Sequence, residues 1–246
     1  MGAPYKMKPT DKINTFLSSP AYKIYLNFIS YLCESVKGRV LRSDEQISDN
    51  MAKIVTILEE LDSFITLIPL REKTMGRFGN LAYRDWNQKM SDNAEKYILS
   101  LFEPTVIEND IVQLLINYFK DSFGNPTRID YGTGHEGAFA FLLCCLHKLN
   151  YFGENDGHLI SLIVIKRYIQ LVRNIQKTFT LEPAGSHGSW GLDDFQFLPY
   201  ILGASQMITP TPKFSPNDIL NKNICCQNKN DYLFLGCIDF INQVNF

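Results

Sequence analysis

The sequence predicts an all-α fold, and three observations carry that expectation. Apolar residues recur at steps of three and four through most of the chain, the signature of one-sided helices. No stretch alternates apolar and polar residues convincingly enough to form a half-buried strand. With 246 residues, 45% of them hydrophobic and 20% charged, the chain can also bury a substantial core as one globular domain over 1–246.

In chain order, Tyr25, Ile29 and Leu32 define an early helix. Ile47, Met51, Ile54, Leu58, Leu61 and Ile65 share one face of the next, with Ser43 and Gln46 spaced as a capping box and Pro69 ending it. Ala82, Trp86, Met90, Ala94, Tyr97, Ile98 and Leu101 give a third, and Ile107, Ile111, Leu114 and Tyr118 a fourth. The run Ala138 to Leu146 is apolar on every side, as in a helix surrounded by others. Leu159, Ile163, Leu171, Val172 and Ile175 mark a longer amphipathic helix. Thr209 to Asn230, rich in proline and asparagine, reads as an exposed connection, followed by a last helix from about Asp231 to Val244.

A net charge of −2 and a pI near 6.1 leave no basic footprint for nucleic acid or an anionic membrane. The first residues lack a secretory apolar run, no uncharged stretch approaches the roughly 18 to 20 residues needed to cross a bilayer, and Lys6 stands where a myristoylation signal needs serine or threonine. The six cysteines, two adjacent pairs among them and no C-x-x-C, form a reduced, intracellular pattern of structural thiols.

Three segments stand out chemically. Glu182 to Gly203 reads E-P-A-G-S-H-G-S-W-G-L-D-D-F-Q-F-L-P-Y-I-L-G and is an irregular turn whose glycines permit unusual dihedrals or close approach. In it, Asp193 and Asp194 stand where a following helix needs an N-terminal oxygen. Arg128 to Glu136 reads R-I-D-Y-G-T-G-H-E, where Thr133 and Glu136 have capping-box spacing and so place a helix start there. A helix start favours an anion, Gly132 and Gly134 let one approach the backbone, and Arg128 either grips it or pairs with Asp130. Arg77 to Trp86 reads R-F-G-N-L-A-Y-R-D-W, with Arg77 and Arg84 serving as anchors between helices or as partner contacts. The four histidines include no H-x-x-x-H pair for zinc, and Ser186 beside His187 lacks an orienting third group for nucleophilic catalysis.

Together with D-Y-L-F-L-G-C-I-D-F-I from Asp231, these segments resemble the signatures of the phosphotyrosyl phosphatase activator family, activators of protein phosphatase 2A also described as peptidyl-prolyl cis/trans isomerases. The resemblance runs from about Ala21 to the region of Asp231. It implies an all-helical fold of core, linker and lid, with the phosphatase catalytic subunit, its scaffold subunit and a proline-containing peptide as partners, and a cytoplasmic or nuclear location. It places ATP on Arg128, Thr133 and Gly134, and Mg2+ on the Gly188 carbonyl and the Asp194 carboxylate. The family chain continues into a further helical segment where this one stops at Phe246, so a shortened chain is expected to leave apolar surface exposed around Leu233, Phe234, Cys237, Ile238 and Ile241.

Prolyl isomerisation needs no nucleophile. Its barrier of about 18 to 20 kcal/mol comes from amide resonance, and a pocket lowers it by desolvating the carbonyl and favouring the twisted amide. Trp190, Phe195, Phe197 and Tyr200 are candidate aromatic walls or core residues. Trp190, Asp193 and Asp194 are the candidate catalytic set, the aspartates orienting the peptide or capping a helix. The alternatives are a helical chaperone or scaffold that grips the phosphatase without catalysis, and a shortened, inactive product.

Overall fold

The computed structural model describes residues 9–40, 45–72, 79–103, 107–185 and 191–243, with side chains from residue 13 onward. Its helices are α1 (Pro9–Leu17), α2 (Pro20–Ser35), α3 (Asp49–Leu67), α4 (Tyr83–Ser100), α5 (Asn109–Asp121) and α6 (Thr133–Lys148), then α7 (Gly157–Leu159) and α8 (Lys166–Phe179) around a π-helical stretch, Ile160–Ile165. After these come α9 (Leu198–Gln206), a 3-10 turn (Pro216–Leu220), α10 (Lys222–Asn228) and α11 (Leu233–Gln243). The strands among the described residues are β1 (Asp130–Tyr131) and β2 (Glu182–Pro183), a two-residue parallel pair. The all-α expectation holds.

Most periodic faces are the buried ones. Met51, Ile54, Leu58 and Leu61 of α3 pack inward, as do Trp86, Met90, Ala94 and Tyr97 of α4 and nearly all of α6. Helix α3 lies against α8, α5 against both α4 and α6, and α9 against α11. A large core runs from α2 to α9, and a smaller one gathers Tyr200, Cys225, Leu235, Cys237 and Ile238 around α9, α10 and α11.

Several expectations need correction. The Ser43–Gln46 capping box does not start α3: Ser43 lies outside the described residues, Gln46 precedes the helix, and Ser48 caps it by accepting the Met51 amide at 3.3 Å. The buried stripe of α5 is Val112, Leu115, Ile116 and Phe119, with Leu114 exposed, because apolar residues on adjacent positions offer two overlapping faces. The connection from Thr209 is not wholly irregular. Asn221 accepts the amides of Asn223 and Ile224 to start α10, which buries Cys225 completely. The expected exposed patch on α11 is absent: Leu233, Cys237 and Ile238 are buried against α9 and α10, and Phe234 and Ile241 are partly buried. Gly203 permits that packing, since a Cβ there would sit 2.2 Å from the Phe234 amide nitrogen.

Candidate functional site

The R-F-G-N-L-A-Y-R-D-W segment holds a loop in place. Arg77 lies outside the described residues, whereas Arg84 donates from Nε to the Pro126 carbonyl at 2.9 Å and from Nη2 to that of Thr127 at 3.2 Å. Tyr83 donates to the Phe123 carbonyl at 2.7 Å, so the 123–128 loop is pinned at both ends to the start of α4. Within it, Asn125 accepts the amides of Thr127 and Arg128, and Ile129 adopts a left-handed φ of 58°. The chain thereby turns into β1.

β1 delivers two things to one place. Its parallel pairing, with Glu182 donating to the Ile129 carbonyl at 3.0 Å and Ala184 to that of Tyr131 at 2.8 Å, brings the start of the glycine-rich segment beside Gly132. A Cβ on Gly132 would lie 2.8 Å from the Ala184 oxygen, so glycine is required for the approach. Tyr131 donates to the Tyr168 hydroxyl at 2.8 Å, which donates to the Ser122 carbonyl at 2.6 Å, an all-buried chain that ties β1 to α8.

Helix α6 then starts with no side-chain cap: its N-cap is Gly132, and Thr133 is its first helical residue. This corrects the expected Thr133–Glu136 capping box. Thr133 and Gly134 are exposed, with open space at the Gly134 α-carbon, so the positive end of the helix faces outward with its first amides lacking intrahelical partners. Arg128 stands nearby but is bidentate to Asp130, Nε to Oδ2 at 2.6 Å and Nη2 to Oδ1 at 3.2 Å. The pairing alternative is therefore realised. His135 is occupied structurally, its Nδ1 donating to the Asp121 carbonyl at 2.6 Å.

Glu136 has a different job from the one its spacing suggested. Its Oε2 accepts the amides of Phe197 and Leu198, both at 2.8 Å, and so caps α9 from 61 residues away. Only 3% exposed, it keeps a second oxygen, Oε1, that has no hydrogen-bond partner among the described residues. Burial pushes its carboxyl up to about 7. The two amides and the charge of Arg173 oppose that rise, and Asp193 adds to it. A glutamate on the inner face of an apolar helix was the sequence signal for this role.

Asp193 caps no helix. Its Oδ1 accepts the amides of Phe195 and Gln196 at 2.8 and 3.1 Å, and its Oδ2 accepts the Tyr200 hydroxyl at 3.1 Å, which fixes the turn before α9. Asp194 is half-buried. Gly188 and Trp190 lie outside the described residues. Of the other proposed walls, Phe195 and Tyr200 are buried core residues, whereas Phe197 is 61% exposed.

A cleft of about 280 Å³ joins these pieces. Tyr22 and Tyr25 from α2 face Thr133, Glu136 and Gly137 from α6, and Phe197 with Leu198 closes the third side. Sequence reading missed the α2 wall. The ring of Tyr25 stacks on Phe141 at 4.0 Å, and burial with the Glu136 charge raises its hydroxyl to about 12, so it stays a neutral donor. The walls are apolar apart from Thr133, Glu136 and the tyrosine hydroxyls. Among the described residues no three His, Cys, Asp or Glu side chains gather as a metal site. Magnesium does not require one: it usually keeps waters and takes one or two protein oxygens beside a phosphate. Asp194 fits that demand, and the open, uncapped start of α6 fits a phosphate.

The fold and site together define a helical protein in which the uncapped start of α6, the buried Glu136 and the start of α9 share one apolar cleft. Residues 5–246 match the family model described as "Phosphotyrosyl phosphate activator (PTPA) protein", and the chain belongs to that family. It is 38% identical, over 95% of its length and 71% of the relative's, to a Dictyostelium discoideum protein named "Probable serine/threonine-protein phosphatase 2A activator 1". It is 37% identical to "Serine/threonine-protein phosphatase 2A activator 2" of Candida albicans, covering 95% of this chain and 63% of that one. It is 34% identical to "Serine/threonine-protein phosphatase 2A activator" of Drosophila melanogaster, covering 97% and 59%. The chain thus spans between about three-fifths and 71% of these relatives. The crystal structure of the PP2A phosphatase activator Ypa1 superposes with a TM-score of 0.84 at 28% identity, covering all of this chain and 78% of that one.

Proposed function

We propose that this chain activates protein phosphatase 2A by binding its catalytic subunit, with ATP and Mg2+ as cofactors, and that it turns a prolyl bond as it does so. One observation carries the reading: two of the segments that resemble the phosphatase activators meet at a single cleft, because Glu136 of R-I-D-Y-G-T-G-H-E caps α9, which starts within W-G-L-D-D-F-Q-F-L-P-Y. Thr133 and Gly134 offer backbone amides to a phosphate, and Arg128 adds a guanidinium whose Nη1 is not spent on Asp130. The Asp194 carboxylate would hold the magnesium, with the Gly188 carbonyl, which lies outside the described residues, as the second protein oxygen. When bound, ATP and the ion would supply phosphoryl oxygens and a divalent charge. Tyr22, Tyr25 and Phe197 desolvate a proline-containing peptide, which favours the twisted amide over the planar one. The site would be used in the cytoplasm and the nucleus, where the phosphatase catalytic subunit and its scaffold subunit would meet it.

A non-catalytic scaffold is the second reading. It gains support from Asp193, whose oxygens are engaged by its own turn and by Tyr200, which suits a positioning role better than contact with substrate. The nucleotide site is tested by calorimetry with Mg-ATP on the native chain and on Arg128→Ala. The account expects the variant to bind more weakly by about 1 to 2 kcal/mol, a charge-assisted contact discounted for its exposure. Equal affinity in the two proteins removes Arg128 from the site.

A further inference from the structure

A second cleft, of about 210 Å³, opens between α8, α9 and α11 and shares no lining residue with the first. Three cations line it: Lys166 and Arg173 from α8, and Lys229 just after α10. Lys166, Ile169, Gln170 and Arg173 follow the i, i+3, i+4, i+7 pattern, so one face of α8 presents both charges to the cleft, about two turns apart. Asp239 is the one carboxylate among the lining residues, and it is paired with Lys229 at 3.1 Å.

Arg173 is poorly matched by its surroundings. Its Nη2 donates to the Cys237 sulfur at 3.0 Å and its Nη1 to the Gly236 carbonyl at 3.4 Å, a weak acceptor and a long contact. Its Nε is buried without a partner, and no carboxylate lies within ion-pair distance among the described residues. The guanidinium rests over the Phe240 ring, 4.4 Å from the centroid, and the Glu136 carboxylate meets its charge only at longer range, beyond an ion pair. Lys166 is half-buried and, among the described residues, donates to the Asn230 carbonyl alone. Burial lowers its pKa, partly offset by Asp231, so holding this charge here has a cost. The lining of this concave site therefore sets three cations beside one carboxylate, with Asp231 acting on Lys166 and Glu136 on Arg173 from outside it, in a chain of net charge −2.

We propose that this cleft is a binding site for a small phosphate dianion, either free phosphate or a phosphomonoester. The planar fork of Arg173 matches two phosphate oxygens, Lys166 and the Asp239-paired Lys229 act as point charges, and Gln170 supplies a neutral donor, while Gln243 donates to Asp239. The apolar walls at Ile169, Leu233 and Phe240 leave room for the carbon end of an ester.

The test is titration of the full chain at low ionic strength with inorganic phosphate, and in separate arms with a short phosphoserine peptide and its unphosphorylated counterpart. Isothermal calorimetry reads the affinity. Saturable binding of phosphate is expected, weakened at least tenfold in Arg173→Gln and in Lys166→Gln, and unchanged in Lys89→Gln, a cation on α4 remote from the cleft. Tighter binding of the phosphopeptide than of phosphate assigns the ester as the ligand, and equal or weaker binding assigns the free ion. Circular dichroism and thermal unfolding accompany each variant, and Lys166→Gln keeps the test decisive should Arg173→Gln lose its fold. Absence of saturable binding up to about 10 mM, or an equal loss in Lys89→Gln, overturns the proposal.

Discussion

Replacing Glu136 by glutamine isolates the effect of burying an ionisable group at the junction of α6 and α9. The glutamine oxygen can still accept the Phe197 and Leu198 amides, so the cap survives, but the side chain can no longer ionise. In the folded chain the carboxyl titrates near 7, against 4.5 for an unperturbed group. The folded state therefore holds this proton more tightly than the unfolded state, and its stabilising contribution is complete below about pH 4.5. It is lost as pH rises toward 7 and beyond. The gap corresponds to about 3 kcal/mol. Urea unfolding of both proteins at several pH values between about 4.5 and 8 measures it, because every other titrating group cancels in the difference. Relative to Glu136→Gln, the native chain should lose on the order of 3 kcal/mol across that window. A stability difference that stays constant with pH would show that Glu136 is ionised throughout, and the desolvation argument would fail.

Two further predictions concern packing. Gly203→Ala should destabilise the fold by at least about 2 kcal/mol, measured by urea unfolding, because the added methyl meets the Phe234 backbone rather than a movable side chain. Unchanged stability would mean that α9 and α11 do not pack this closely. Alkylation of the native chain near pH 7.5 should modify exposed Cys226 first and spare Cys144, Cys225 and Cys237, whose burial shields them and pushes their thiols up, to about 11 for Cys144 and about 12 for Cys237. Mass spectrometry of time points would contradict this if Cys144 or Cys237 reacted as fast as Cys226.

What the sequence revealed depended on how local the cause was. The faces of α3 and α4 were legible because four or five apolar residues repeat there with few competing neighbours. The face of α5 was not, since Ile111 and Val112, and Leu114 and Leu115, sit side by side and only tertiary packing selects between them. The π-helical stretch at Ile160–Ile165 carries no local signal, being apolar at every position but Ser161. At the site, Arg128 and Asp130 were readable as a pair two residues apart. Glu136 was not: its spacing to Thr133 mimicked a cap on its own helix, while its partners lie 61 and 62 residues on. The α2 wall of the cleft, Tyr22 and Tyr25, likewise exists only through a long-range contact.

Activation of the phosphatase tests the central claim most directly. Purified chain is added at a tenth of the concentration of an inactive protein phosphatase 2A catalytic subunit, with Mg-ATP, and phosphatase activity is followed over time. The account predicts that activity rises beyond what a one-to-one complex could produce, that omission of magnesium or ATP prevents the rise, and that Asp194→Ala prevents it while retaining native helical circular dichroism. A rise limited to one phosphatase per added chain would support the scaffold reading over catalysis. No rise at any ratio would contradict the proposed function outright.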